Sequence, residues 1–313
     1  MSYVLGIDTS CYTTSIAVID TQKNIIHDKR IMLKVKRGER GLQQSQAYYQ
    51  HNDNLVQLID DIKPIIKNIK NIAVSTKPRP KKDSFMPVFK SGYNTAKILS
   101  TALNVPLVKT SHQEGHIMAG LYSAKGPKCH SFLCVHISGG TSDILHVTRT
   151  AGQGFVINTV GGTQDLNAGQ FIDRVGVALG MDFPCGKELE GLAGKGTKGS
   201  ILPSSVQGCH MSFSGPESMS QRLICQGVSK EDLALSVFLC IARSLVKVLN
   251  NCYQGKIKFD NILFVGGVAS NTYIKEYLKT KLSNRFGLYF AQPRFSVDNA
   301  VGVALLGKTW ERQ

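Results

Sequence analysis

The chain contains the same order of predicted strands twice, and this internal repeat restricts its fold more than any other feature. In each copy, two apolar strands flank a short turn of small and hydroxyl-bearing residues, and a third strand follows. The predicted strands of the first copy are residues 4–8, 15–19 and 25–33, and those of the second are residues 131–137, 143–147 and 154–157. A repeated antiparallel unit of this kind predicts two similar lobes that arose by duplication.

Helices and buried strands follow each copy, which makes the chain mixed α/β. The elements expected after the first copy are a helix at 54–69, a strand at 72–74, a helix at 91–103 and a strand at 105–108. Those expected after the second are a helix at 230–252 capped by Ser229, a strand at 261–265, a helix at 272–282 and a strand at 288–290. We expect one lobe at residues 1–125, with a last helix at 298–313 packing back on it, and a second lobe at 126–297.

Three turns of small polar residues lie where predicted strands end. Their backbone N–H groups can approach phosphate oxygens closely, and their hydroxyl groups add hydrogen-bond donors. These turns contain Asp8, Thr9 and Ser10 in the first copy, Ser138, Gly139, Gly140, Thr141 and Ser142 in the second, and residues 266–271 near the end. A nucleotide in a cleft between the lobes would touch all three. This layout resembles the sugar kinase, Hsp70 and actin superfamily, which implies two actin-like, RNase H-like lobes.

Two histidines four residues apart, His112 and His116, form a possible metal site. Ser111 and Glu114 have the spacing of a capping box, which predicts that a helix begins here. Residues four apart share one helical face, so both imidazoles can meet one divalent cation. The alternative is a pair of ordinary surface histidines on an amphipathic helix, and a metal site needs further ligands.

The formal net charge of +15 predicts a surface that attracts polyanions. The basic residues cluster in two segments, which are Lys34, Lys36, Arg37 and Arg40 in the first and Lys77, Arg79, Lys81, Lys82, Lys90 and Lys97 in the second. Phe85, Phe89 and Tyr93 interrupt the second segment, where aromatic rings could stack on bases while the cations meet phosphates. A solvated basic loop is the alternative.

The eight cysteines are scattered and form no Cys-x-x-Cys pair. They are interpreted as reduced thiols, mostly in the core, of a cytoplasmic protein. No apolar run reaches the length that a membrane-spanning helix requires, so no membrane association is expected.

Several motifs in a fixed order resemble the TsaD family of tRNA threonylcarbamoyladenosine transferases, formerly grouped as glycoproteases of peptidase family M22. The matching segments are residues 4–11, 112–116, 138–140, 167–174, 183–186, 212–215, 266–271 and 298–300. The resemblance implies transfer of a threonylcarbamoyl group from threonylcarbamoyl-AMP to N6 of the adenosine beside the tRNA anticodon. It also implies tRNA as a partner, and it allows a TsaB-like protein and other threonylcarbamoylation proteins as further partners.

The resemblance assigns site residues as well. It implies that His112, His116 and Asp298 bind one iron or zinc ion, for which two imidazoles and a carboxylate are suitable ligands. His136 is either a fourth ligand or a strand histidine bonded to the backbone. The residues implied to hold the adenylate substrate are His136, Ile137, Ser138, Gly139, Gly140, Asp173, Gly186 and Asn271. No catalytic nucleophile is assigned, and Cys11 is interpreted as a packing residue.

Some positions depart from the family pattern. Tyr12 and Thr13 stand where the family has an Asp-Glu pair, Thr141 replaces a histidine, and the basic segment 77–82 replaces a Gly-Pro-Gly segment. Loss of two carboxylates argues against full activity, so three readings stay open. They are a diverged transferase, a catalytically reduced paralogue that acts as a metal- and nucleotide-binding regulatory module, and a carbamoyl transferase with another acceptor.

Overall fold

A computed structural model describes residues 1–10, 12–35, 42–151, 154–199, 202–255 and 257–308. The chain divides into two compact units. Unit 1 comprises Met1–Ser123, Arg149–Val156 and Val297–Gln313, and unit 2 comprises Ala124–Thr148 and Ile157–Ser296. Among the helices of the described ranges, none is long and apolar enough to cross a membrane.

The sheet of unit 1 has five strands. They are β1 (Tyr3–Ser10), β2 (Thr13–Asp20), β3 (Ile25–Met32), β4 (Ile69–Ser75) and β5 (Leu107–Thr110). The strand order is β3-β2-β1-β4-β5. The pairs β1–β2 and β2–β3 are antiparallel, whereas β1–β4 and β4–β5 are parallel.

The sheet of unit 2 repeats this order and adds two short strands. Its members are β6 (Ser131–Ile137), β7 (Ser142–Arg149), β8 (Phe155–Thr163), β9 (Ser205–Gln207), β10 (His210–Ser212), β11 (Asn261–Val265) and β12 (Gly287–Phe290). The strand order is β12-β11-β6-β7-β8-β10-β9. Five of these strands, in the order β12-β11-β6-β7-β8, correspond to β5-β4-β1-β2-β3 of unit 1. As in unit 1, the first two strands of the repeat, β6 and β7, are antiparallel, whereas β6–β11 and β11–β12 are parallel. The predicted duplication of an α/β lobe is confirmed.

Ten α-helices surround the sheets in the described part of the chain. They are α1 (Gln44–Asp61), α2 (Phe89–Leu103), α3 (His112–Ala124), α4 (Ala168–Ala178), α5 (Gly186–Ala193), α6 (Ser214–Cys225), α7 (Lys230–Gln254), α8 (Thr272–Leu282), α9 (Pro293–Ser296) and α10 (Val301–Lys308). Two 3-10 helices occupy Lys63–Asn68 and Gly267–Ser270. The predicted cap of α7 is confirmed, because the Ser229 side chain accepts a hydrogen bond from the backbone N–H of Asp232.

The helix predicted at 54–69 was wrong at both ends, since α1 begins at Gln44 and ends at Asp61. Its buried face includes Ala47 and His51 as well as Leu55 and Leu58, so the first half carries little apolar signal. Pro64 cannot donate a backbone hydrogen bond, and it lies in the first turn of the 3-10 helix at Lys63–Asn68, which separates α1 from β4.

The last helix begins three residues later than predicted. Asp298 lies in a bend before α10, and the Oδ1 of Asn299 accepts a hydrogen bond from the N–H of Val301. Every residue from Val301 to Gly307 is buried. At Gly6 of β1, a Cβ atom would lie 2.5 Å from the carbonyl oxygen of Ala300. Glycine at this position therefore allows the chain just before α10 to lie directly on the sheet, and this fixes the bend that carries Asp298.

The cysteines differ in part from the expectation of free thiols. Cys209 and Cys252 are paired in unit 2 with their Cα atoms 5.5 Å apart, a separation that a disulfide spans. The free cysteines of the described residues are Cys129, Cys134, Cys185, Cys225 and Cys240. Cys11 lies outside the described residues, as do Lys36, Arg37 and Arg40 of the first basic segment.

Candidate metal centre and substrate turns

The first turn of α3 is held by the predicted capping box, which is confirmed. Oε2 of Glu114 accepts a hydrogen bond from the backbone N–H of Ser111 at 2.8 Å, and the N–H of Glu114 donates to Oγ of Ser111 at 3.3 Å. Two further N–H groups of this turn reach the preceding chain, since His112 donates to the carbonyl of Lys77 at 2.9 Å and Gln113 to that of Pro78 at 3.0 Å. The position of His112 is thus fixed by hydrogen bonds within the first turn of α3 and by hydrogen bonds to the chain at 77–78.

His112, His116 and Asp298 converge in unit 1. The two Nε2 atoms are 3.1 Å apart, and Oδ1 of Asp298 lies 3.4 Å from Nε2 of His112 and 3.1 Å from Nε2 of His116. The three candidate ligand atoms lie within 4.8 Å of one another. Helical spacing brings the imidazoles to one face of α3, and the bend before α10 brings the carboxylate. Two imidazoles and one carboxylate suit zinc or ferrous iron with positions left open for substrate.

A second carboxylate, Asp8, stands behind the histidine pair. Its Oδ1 lies 3.3 Å from Nδ1 of His112, and the hydroxyl groups of Ser10 and Ser75 donate to the same carboxylate. Burial opposes the charge of Asp8, but His112 and these hydroxyl groups outweigh burial and keep its pKa below the ordinary value.

Burial and neighbouring charges also compete at two of the candidate ligands, His112 and Asp298. Burial disfavours a charged His112, yet Asp8 and Asp298 outweigh burial and raise its pKa to about 10. Burial would also raise the pKa of Asp298, but hydrogen bonds to His112 and His116 hold it well below its usual range. Two carboxylates therefore favour positive charge at this point, whether a proton or a metal cation supplies it. The donor set and its electrostatics fit a divalent metal.

The residues assigned to the first phosphate turn lie within β1. The strand continues to Ser10 and β2 begins at Thr13, so the turn is shorter than the predicted 9–14. Asp8, Thr9 and Ser10 are fully buried. Oγ1 of Thr9 donates to the carbonyl of Val88 at 3.0 Å and accepts from the N–H of Gly92 at 3.1 Å. These side chains thus tie β1 to α2 and to the metal centre, and phosphate binding by them stays a prediction.

The turn after β6 in unit 2 is open to solvent. The N–H of Ser138 donates to the carbonyl of Thr141 at 2.8 Å, which closes the turn. Gly139 and Gly140 are exposed, and a Cβ atom on either would meet no atom within 4 Å. The N-terminus of α4 packs beneath, where a Cβ atom on Gly169 would lie 2.5 Å from Cα of Gly139. His136 and Ile137 are buried in β6, so the turn projects from a rigid strand.

Asp173, Gly186 and Asn271 occupy three different elements of unit 2. Oδ1 of Asp173 accepts a hydrogen bond from the N–H of Cys185 at 2.8 Å, next to Gly186 at the start of α5. Burial raises the pKa of Asp173 and outweighs that hydrogen bond. Oδ1 of Asn271 caps α8 by accepting from the N–H of Ile274, while its buried Nδ2 has no hydrogen-bond partner among the described residues. Asn271 can therefore donate to a ligand.

Sequence reasoning did not predict the surroundings of three polar groups. Asp8 was assigned to a phosphate turn and not to His112. Ser270 has a buried hydroxyl that, like Nδ2 of Asn271, finds no partner within the described ranges. Asp165 accepts hydrogen bonds from the hydroxyl groups of Ser212 and Ser214 and from the N–H of Phe213. The motif at 212–215 indicated the two serines. Asp165, the carboxylate that they contact, lies 47 residues before Ser212 and was not connected with them.

The sequence is similar to a family of tRNA-modifying proteins. A family model described as TsaD, tRNA N6-adenosine threonylcarbamoyltransferase, matches residues 29–305. A tRNA N6-adenosine threonylcarbamoyltransferase of Archaeoglobus fulgidus is 28% identical over 306 residues, which cover 97% of this chain and 90% of that protein.

Solved structures share the fold at low sequence identity. Component A of the (R)-2-hydroxyglutaryl-CoA dehydratase of Acidaminococcus fermentans gives a TM-score of 0.62 at 16% identity over 100% of both chains. A ROK family glucokinase of Streptomyces griseus gives 0.57 at 11% identity over 98% of this chain and 99% of its own. The predicted fold of two actin-like lobes is thereby confirmed. The family match covers most of the sequence, and the chain belongs to the TsaD family of tRNA N6-adenosine threonylcarbamoyltransferases.

Proposed function

We propose that this chain transfers the threonylcarbamoyl group of threonylcarbamoyl-AMP to N6 of the adenosine beside the anticodon of tRNA. A divalent metal, iron or zinc, is held by His112, His116 and Asp298. The observation that carries the proposal is the convergence of these three ligand atoms within 4.8 Å in a chain of this family. A cytoplasmic location and assistance by a TsaB-like partner belong to the same proposal, because the substrate is tRNA and the family reaction uses other threonylcarbamoylation proteins.

The chemistry requires attack of the N6 amine on the carbamoyl carbonyl, loss of the proton from that nitrogen and departure of AMP. When bound, the metal supplies Lewis-acid polarisation of an oxygen atom. Asp8 keeps a proton on Nδ1 of His112 and so directs the Nε2 lone pair toward the ligand set. The backbone N–H groups of Gly139 and Gly140 and Nδ2 of Asn271 are suitable donors for the leaving phosphate.

Asp173 and Gly186 are proposed to hold the rest of the adenylate. The Asp173 carboxylate is half-buried and beside the first turn of α5, where a ribose hydroxyl could donate to its second oxygen. His136 stays in the proposal in both of its assigned roles, as part of the substrate turn and as a fourth ligand.

The test is formation of the modified nucleoside. Purified chain, loaded with zinc or with ferrous iron under anaerobic conditions, is mixed with unmodified tRNA and threonylcarbamoyl-AMP, and the digested tRNA is analysed by mass spectrometry. The proposal predicts threonylcarbamoyladenosine with the wild-type chain and with His130→Ala, an exposed histidine outside the site. It predicts loss of the modified nucleoside with His116→Ala.

A second candidate is the catalytically reduced paralogue, which is favoured by Tyr12 and Thr13 in place of two carboxylates. It predicts binding of metal and adenylate without product, with or without partner proteins. Restoring both acidic residues, as Tyr12→Asp with Thr13→Glu, would then raise product formation from zero. Product from the unaltered chain rejects this candidate, and product only with an acceptor other than tRNA would identify a different carbamoyl transferase.

A further inference from the structure

We propose that a cavity on unit 1, lined by Phe85, Phe89, Tyr93, Lys90 and Lys109, binds unpaired nucleotides of the tRNA anticodon loop. It is called the aromatic–lysine cavity below. The inference rests on the proposed function for its choice of RNA, and it assigns a role to the second basic segment.

The cavity has the size and the wall chemistry that a nucleobase requires. Its volume is about 300 Å³, and its wall also includes Thr76 and Met86. Phe89 is buried, Tyr93 is half-buried, and Phe85 at the rim is 67% exposed. A large exposed ring is costly to leave in water and offers a face for stacking, which contributes about 1–3 kcal/mol per base in single-strand complexes.

Positive charge surrounds the rings. Nζ of Lys109 lies 4.9 Å from the centre of the Tyr93 ring, and Nζ of Lys90 lies 6.0 Å from it. Among the described residues, neither ammonium group forms an ion pair. Between residues 76 and 97 the chain has six basic side chains and one carboxylate. Two ammonium groups without an ion pair in the described part of the chain thus lie beside an aromatic wall. A nucleotide fits this arrangement, since its phosphate can meet the lysines while its base stacks on a ring.

The cavity is joined to the metal centre by direct contacts. The Phe89 ring that forms its wall packs against His112, with ring centres 6.2 Å apart. Thr76 donates its N–H to the carbonyl of Thr110 at 2.9 Å, and the carbonyl groups of Lys77 and Pro78 accept from the first turn of α3. A nucleotide in the cavity would therefore be held beside the ligand His112, where a neighbouring nucleotide can present its adenine amine.

Single-stranded RNA explains these features better than an acidic protein does. A carboxylate-rich peptide would satisfy Lys90 and Lys109 but would leave the exposed Phe85 ring unused. A paired RNA helix would meet the lysines through its backbone, but its bases stay stacked on one another and cannot enter the cavity. Unpaired nucleotides can stack a base on the aromatic rings and place a phosphate beside the lysines.

The test measures binding of a fluorescent, unmodified anticodon stem-loop RNA to the full chain by anisotropy over a range of salt concentrations. Phe85→Ala is expected to weaken binding about 5- to 150-fold, and Phe85→Trp to restore it. Lys90→Gln with Lys109→Gln should make the negative slope of log affinity against log salt shallower by about 1.4, since two phosphate contacts are lost.

Matched controls separate the cavity from charge and aromaticity in general. Tyr49→Ala removes another exposed ring, and Lys258→Gln with Lys281→Gln removes two other lysines that lie over tyrosine rings. Both controls should bind RNA as the wild type does. Equal losses in the cavity variants and the controls, or equal competition by fully paired RNA or polyglutamate, would overturn the inference.

The outcome is independent of the transfer assay. A chain that forms threonylcarbamoyladenosine with an unchanged KM for tRNA after Phe85→Ala would refute the cavity and leave the proposed function intact. A chain that forms no product, alone or with a TsaB-like partner, but loses RNA binding after Phe85→Ala with unchanged metal content would refute the function and support the cavity.

Discussion

Asp8 faces Nδ1 of His112 at 3.3 Å, at the opposite edge of the imidazole from Nε2, which lies 3.4 Å from Asp298. This is the arrangement in which a carboxylate fixes the tautomer and direction of a metal-binding histidine. Asp8 comes from the first strand and His112 from the third helix, so the centre of the five-stranded sheet orients this candidate ligand.

Asp8→Asn is expected to lower metal affinity by about 10- to 100-fold, because a neutral amide holds the His112 proton more weakly than a carboxylate. Titration of the apo protein with zinc, followed by calorimetry, measures the change. Ser75→Ala, which removes one hydroxyl group that donates to Asp8, should have a smaller effect in the same direction. Asp61→Asn, at a surface ion pair with Lys29, should bind as the wild type does. An unchanged affinity in Asp8→Asn would show that Asp8 does not orient His112.

Metal binding should raise the melting temperature of the wild-type chain. At a free metal concentration 100 times the dissociation constant, linkage gives about 2.7 kcal/mol, which corresponds to a rise of about 5 °C. His116→Ala should show no metal-dependent rise, whatever its melting temperature without metal, while His130→Ala should show the full rise. Calorimetric melting with and without zinc makes the comparison, and equal shifts in both variants would place the metal elsewhere.

Two glycine variants in unit 2 should behave differently. Gly266 has a φ of +97°, and a Cβ atom there would overlap the carbonyl oxygen of Ile137. Gly266→Ala is therefore expected to destabilise the protein by about 2–4 kcal/mol. Gly140→Ala should leave the free energy of unfolding nearly unchanged, because its Cβ atom would meet no neighbour. Urea denaturation measures both, and a stable Gly266→Ala would contradict the packing of the turn against β6.

Gly140→Ala also tests the substrate turn. A methyl group there would obstruct the close approach of a phosphate to the backbone N–H groups. We expect weaker binding of a non-hydrolysable threonylcarbamoyl-adenylate analogue in a protein of normal stability. Undiminished binding of the analogue would remove the turn at 138–140 from the substrate site.

The parts of the fold that local sequence patterns determine were predictable. The apolar strands and their turns predicted the five strands that each sheet shares with the other, but not the short strands β9 and β10 of unit 2. The Ser111–Glu114 spacing predicted the start of α3. The first half of α1 was not predictable, because its buried face uses Ala47 and His51 in place of large apolar side chains. Burial of such residues depends on what packs against them and not on their own hydrophobicity.

Some residues of the candidate site were predictable from the sequence and others were not. The histidine pair follows from helical spacing, and Asp298 followed from the family resemblance, since no local pattern links it to residues 182 positions away. Asp8 beside His112 could not be foreseen, because it depends on how β1 packs against α3. Likewise, the basic segment was visible as charge, but Lys109 enters its cavity only because β5 lies beside β4.

Acid sensitivity should report on Asp165. Burial would raise the pKa of this carboxyl, but hydrogen bonds from Ser212, Ser214 and Phe213 outweigh burial and hold it well below the ordinary value. A carboxyl with a lowered folded-state pKa adds stability above its unfolded pKa of about 3.9, and that stability is lost as the pH falls. Asp165→Asn should therefore be less stable than the wild type at pH 7, and the difference should shrink between about pH 4 and pH 2. A difference independent of pH would show that charge at Asp165 contributes nothing.

The most direct test of the metal-dependent transfer is single-turnover formation of threonylcarbamoyladenosine as a function of metal occupancy. Metal-stripped chain is titrated with zinc or ferrous iron, and product on tRNA is measured at each step together with bound metal. The account predicts that product rises in proportion to occupancy and saturates at one ion per chain, and that His116→Ala gives neither. Full product formation by metal-free protein, or by His116→Ala, would contradict it.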